Sequence, residues 1–125
     1  MRKSNASGIS VVHVIDSGGF GGGERYLADL IRHASSGIRH AAIIPFYGPL
    51  AREFADMGAV FAVTKMPAWF SPLAVSRIVH MISARRADII HSHGYRANIY
   101  ARAAALVTGA ASVCTVHVSL YDYAL

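Results

Sequence analysis

Short apolar, β-branched runs alternate with amphipathic helical stretches along this chain, and few folds accommodate that pattern. Residues 9–15, 41–46, 59–63, 87–92 and 112–118 read as strands. Four helical stretches separate them. Residues 24–34 place Leu27, Leu30, Ile31 and Ala34 on one face, and Gly37 closes the helix. Pro49 opens a short helix in which Leu50, Phe54 and Met57 share a face, and Gly58 ends it. Ser71 and Pro72 form an N-cap and first-turn proline ahead of Val75, Ile78, Val79 and Ile82. Residues 95–107 put Ile99, Ala103 and Leu106 on one face.

Strands joined by helices form a parallel sheet covered on both sides, and right-handed crossovers restrict its topology. The predicted fold class is therefore α/β, a doubly wound, Rossmann-like parallel sheet with strand order 3-2-1-4-5. Such sheets bind ligands beyond the carboxyl ends of their strands, where the strand order reverses. Three distinctive segments converge there: the Gly-rich loop after the first strand, His91 to Tyr95 after the fourth, and His117 at the end of the fifth.

Composition supports a packed domain. The hydrophobic fraction is 54% and the charged fraction 15%, which argues against disorder. No run reaches the roughly 18 apolar residues of a membrane span. No secretory leader precedes the first strand, so a cytoplasmic location is expected, at most peripheral to the inner face of the membrane. The single Cys114 lies in an apolar run and reads as a reduced, buried thiol. A net charge of +5 suits an anionic partner such as a phosphorylated substrate or lipid headgroup. Nucleic acid is not expected, because Arg and Lys are dispersed and no nucleic-acid module appears.

The loop of residues 18–23 holds five glycines in six positions and runs into a helix N-terminus. Glycine admits positive φ and close approach of a ligand to the backbone, and free N–H groups in the first helical turn favour an anion. Gly21, Gly22, Gly23 and Glu24 are candidate substrate-binding residues. The loop is neither a P-loop nor a dinucleotide fingerprint, since no Gly-Lys-Ser/Thr follows and the final glycine position falls on Glu24.

His91 and His93 share one face of their strand. A metal would need further ligands, and no acidic residue lies near, so no metal is expected. His91 reads as a hydrogen-bonded core histidine, His93 as exposed to the crevice, and His13 as structural. His93, Gly94 and Arg96 are candidate substrate contacts, and His117 a candidate polar contact to a substrate hydroxyl or a developing charge. Arg102 belongs to a solvated face. Trp69 and Phe70, between two prolines, suit packing, an acceptor contact or a tip dipping into a membrane.

With these segments placed, the chain resembles glycosyltransferase family 4, enzymes of the GT-B fold. The resemblance is carried by Val11-Val12-His13-Val14-Ile15, by Gly22-Gly23-Glu24-Arg25-Tyr26-Leu27, by Ala87-Asp88-Ile89-Ile90-His91-Ser92-His93-Gly94 and by Thr115-Val116-His117. It implies retaining transfer of a sugar from a nucleotide-sugar donor to an acceptor, which varies between glycan, lipid and small molecule. It implies no metal and no other cofactor, and it puts the Gly-rich loop near the donor phosphates and acceptor. It makes His117 the catalytic histidine, near the transferred sugar. Against that family, residues 1–125 read as a partial N-terminal, acceptor-side domain without the C-terminal donor-binding domain, inactive alone. The family pattern often has a small residue where Val118 stands. Two alternatives stand beside this reading: a non-catalytic module binding a glycan or phosphate, and a dinucleotide-dependent oxidoreductase domain, against which the failed glycine pattern argues.

Overall fold

A computed structural model describes residues 8–116. The elements run β1 (Ile9–Ile15), α1 (Gly22–Arg32), β2 (Ile38–Ile44), α2 (Pro49–Met57), β3 (Val60–Val63), α3 (Pro72–Ala84), β4 (Ile89–His93), α4 (Tyr95–Thr108) and β5 (Ala111–Thr115). All pairings are parallel, and the strand order is β3-β2-β1-β4-β5, as the alternation predicts.

Side chains alternate across the sheet and build two cores. On one face Val12, Val14, Ala41, Ile43 and Ile90 pack against Ile78 and Ile82 of α3 and Tyr100 of α4. On the other, Ile15, Ala42 and Ile44 meet Leu27 of α1 and Leu50 and Phe54 of α2. Ser71 caps α3 by accepting the Ala74 N–H at 3.2 Å, and Gly58 ends α2 at φ 71°.

Several local expectations need correction. β2 starts at Ile38 and stops at Ile44, because Pro45 has no N–H to extend the ladder. α1 begins two residues earlier than expected and is capped by His33; Gly37 instead accepts the Ile9 N–H at 3.0 Å through its carbonyl. The buried face of α4 is Ala97, Tyr100, Ala101 and Ala104, while Ile99 and Leu106 are exposed. Small alanines let α4 lie close to the sheet and α3, and that contact outweighs the larger side chains' hydrophobicity. Cys114 is exposed rather than buried, because β5 is the outer strand and four of its five residues face solvent. Among the described residues, no helix is long and apolar enough to cross a membrane.

Candidate functional site

The loops after β1 and β4 meet at the carboxyl end of the sheet. Asp16, just past β1, accepts the Ala97 N–H through Oδ2 at 2.8 Å. Its carboxylate thereby caps the first turn of α4 from a neighbouring strand and neutralises the positive end of that helix. Gly94 begins the turn at φ 107°, and a Cβ there would sit 2.7 Å from Asp16 Oδ1. Only glycine fits both the conformation and the space.

The start of α1 is built differently. Gly21 is the N-cap, in extended conformation, with no side-chain bond of its own. Glu24 is buried and accepts the Gly21 N–H at 3.2 Å, so its carboxylate shapes the loop from within. An α-helix gives no internal acceptor to its first N–H groups, here those of Gly22, Gly23 and Glu24. A Cβ at Gly22 would meet nothing within 4 Å. The loop glycines do not lie at positive φ, contrary to the conformational expectation; Gly22 leaves open space above the helix end, whereas a Cβ at Gly18 would crowd the Phe46 ring at 3.0 Å. The loop is tied laterally by the Leu50 N–H, which donates to the Gly18 carbonyl at 3.2 Å. The Arg25 guanidinium lies over the Phe20 ring, 5.3 Å from its centroid.

Beneath the crevice lies a row of histidines on the α1 side of the sheet. His13 Nδ1 and His93 Nε2 are 2.9 Å apart, and His13 Nε2 is 2.8 Å from His40 Nδ1. His91 Nε2 is 2.6 Å from Thr115 Oγ1. The His91 and His93 rings are 4.1 Å apart, which bears out their shared face. Their expected burial is reversed: His93 is 1% exposed, whereas His91 is half-buried. Tyr26 of α1 lies over His93, with ring centroids 6.0 Å apart, while β5 leaves the His91 side more open. Burial holds the His13 imidazole well below its ordinary 6.5, at about 2, and the neighbouring His93, His91 and His40 add to the effect. Burial also lowers the pKa of His40. Burial therefore keeps His13, and pushes His40, toward the neutral imidazole, which can present a lone pair.

Arg96 is exposed and donates to the Met66 carbonyl at 3.3 Å, and Arg102 is exposed, as expected of a solvated face. His117 lies outside the described residues. A cleft of about 390 Å³ opens beside the Arg96 anchor, lined by Lys65, Met66, Pro67, Trp69, Leu73 and Arg77 among others. Trp69 is 71% exposed at its rim, and Phe70 stacks on Tyr100 with ring centroids 5.5 Å apart. Two residues that matter here escaped the sequence reading. Asp16 had a signal, an acid closing a strand ahead of a Gly-started helix. Tyr100, whose hydroxyl joins Ser71, Pro67 and Trp69, had none.

Residues 20–125 match the family model of Glycosyltransferase Family 4. No curated protein matches the chain significantly. Among solved structures, a glycosyltransferase from Rickettsia africae superposes with a TM-score of 0.73 at 18% identity, covering 86% of this chain and 29% of that one. HepE from Anabaena, solved in complex with UDP, gives 0.73 at 16% identity, over 91% of this chain and 31% of that one. MurG from Acinetobacter baumannii gives 0.69 at 12% identity, over 92% and 38%. The chain thus shares their fold and spans about a third of their length.

Proposed function

The chain belongs to glycosyltransferase family 4, and on that premise we propose that it is the acceptor-side domain of a retaining enzyme that moves a sugar from a nucleotide-sugar to an acceptor. The observation that carries this reading is the contrast between two helix ends at one crevice. At α4 the Asp16 carboxylate takes the Ala97 N–H from outside the helix, whereas at α1 the Glu24 carboxylate turns back to the Gly21 N–H and leaves the first-turn N–H groups below the open face of Gly22. A phosphate or a developing negative charge on a leaving diphosphate suits the second and not the first. In this reading Gly21, Gly22 and Gly23 receive the ligand, Glu24 holds their loop, and His93 with Gly94 forms the floor. His117 contacts the transferred sugar. A second domain grips the donor, so residues 1–125 alone show no turnover. HepE's complex with UDP supports a nucleotide-sugar donor.

The acceptor side is the 390 Å³ cleft with its exposed Trp69 and Leu73 and its cations Lys65 and Arg77. An apolar tip flanked by positive charge suits a lipid-linked or otherwise amphiphilic acceptor at a membrane surface. The test is turnover of a panel of nucleotide-sugars by the full-length protein, with and without anionic vesicles. Transfer lost in Gly22→Val while the fold is retained supports the assignment, and an active Gly22→Val enzyme overturns it. Vesicle binding that survives Trp69→Ala combined with Leu73→Ala removes the membrane part of the reading.

A further inference from the structure

The expectation of a metal-free chain rested on a missing third ligand beside His91 and His93. The fold supplies one from 78 residues upstream of His91 in the chain. Parallel pairing sets His13 opposite His91 and two residues along the strand from His93, on the same face. One ring nitrogen from each of His13, His91 and His93 falls within 4.8 Å of the other two.

The geometry points to a site for one borderline divalent transition ion, of the Zn²⁺ class, held by His13, His91 and His93. Three imidazole ligands with no carboxylate select Zn²⁺, Cu²⁺ or Ni²⁺ over Mg²⁺ or Ca²⁺. Three histidines with a fourth position for water is an established zinc arrangement. A tetrahedral ion about 2.0–2.1 Å from each nitrogen holds them about 3.3 Å apart. The His13–His93 pair, now at 2.9 Å, must widen by a few tenths of an ångström, and a pair as far as 4.8 Å apart must close by about 1.5 Å, a shift that rotation of the half-buried His91 ring can supply. The proton between them moves to the far nitrogen of its own ring, a tautomer change with no net proton release.

The surroundings fit such an ion. His13 Nε2 is already held by His40 Nδ1 at 2.8 Å, the outer-shell contact that orients a ligating imidazole. Strands β1 and β4 fix all three ligand backbones, so the site is preorganised by sheet pairing rather than by a loop. The half-buried His91 leaves a path from solvent. Bound there, the ion staples β1 to β4 directly below the crevice.

The experiment uses the tag-free, full-length chain, stripped with chelator and titrated with Zn²⁺ or Co²⁺ alone. One ion per chain at micromolar affinity or tighter is expected, with the intense visible bands of four-coordinate Co²⁺. The melting temperature should rise by about 5–10 °C at a hundredfold excess of Zn²⁺ over Kd. His91→Gln, at the half-buried ligand least needed for folding, should weaken binding at least tenfold, and His40→Gln by about 10–100-fold. His33→Ala and His80→Ala, both exposed, should leave it unchanged. Substoichiometric binding, binding indifferent to His91→Gln, or binding lost with His33 or His80 would each overturn the site. None of these readouts involves sugar transfer, so the two proposals stand or fall separately.

Discussion

The carboxylate of Asp16 fills the space that a side chain at residue 94 would need: a Cβ on Gly94 would lie 2.7 Å from Asp16 Oδ1, while Oδ2 accepts the Ala97 N–H at 2.8 Å. Cap and glycine are two halves of one device that joins the loop after β1 to the helix after β4. The crevice keeps its shape because these two loops are bonded to each other.

Gly94→Ala should therefore destabilise the domain by about 2–4 kcal/mol, through positive φ and the clash together. Asp16→Ala alone should cost about 1 kcal/mol as a lost cap. The double variant should cost less than the sum, because removing the carboxylate removes the clash. Thermal or urea unfolding of the three variants measures this directly, and strict additivity would contradict the packing described.

Gly22→Val should behave in the opposite manner. Nothing lies within 4 Å of the added Cβ and the backbone φ is not positive, so unfolding should shift by less than about 1 kcal/mol. Transfer by the full-length enzyme should nevertheless fall by two or more orders of magnitude. Arg102→Ala, on an exposed face, serves as the inert control. Active loop variants beside a dead Arg102→Ala would put the site on the wrong face of the domain.

Tyr100→Phe removes a hydroxyl that accepts the Ser71 N–H at 3.1 Å and donates to the Pro67 carbonyl at 2.8 Å. A buried N–H is left without a partner, at a cost of about 1–3 kcal/mol. The loop carrying Trp69 should loosen as well, seen as faster proteolysis between Pro67 and Ser71.

Stability should fall in acid before the carboxylates titrate. The folded-state pKa of His13 is about 2 against an ordinary 6.5, so between these values the unfolded chain binds the extra proton. Stability then rises with pH across that window and levels off above 6.5. The slope from this group is about 1.4 kcal/mol per pH unit. Urea unfolding in chelator from pH 4 to pH 8 tests it, and His13→Gln should flatten the curve.

The sheet order and the meeting of the loops after β1 and β4 were legible because both follow from alternation and handedness alone. The face of α4 was not. Its alanines carry little hydrophobic signal, yet they permit the close approach that decides which side is buried. The relative burial of His91 and His93 was misread for a similar reason. Position along a strand does not reveal that Tyr26 covers one ring while the outer strand leaves the other more open. Cys114 shows the same limit, since an apolar run looks alike in a central and an outer strand. The convergence of His13 with His93 joins residues 80 apart and follows only from strand pairing. His117 lies outside the described residues.

The histidine row also bears on how the sheet finds its alignment. His13 reaches diagonally to His40 on β2 and to His93 on β4, so one side chain reads the offset of both neighbours of the central strand at once. A slip of β1 by a single residue would turn that imidazole to the opposite face, among Ile43, Ile90 and Tyr100, and break both contacts together. Apolar residues such as Val12 and Val14 tolerate neighbouring offsets far better. The polar row thus works as a proofreading key within a sheet whose remaining residues could pair in several ways.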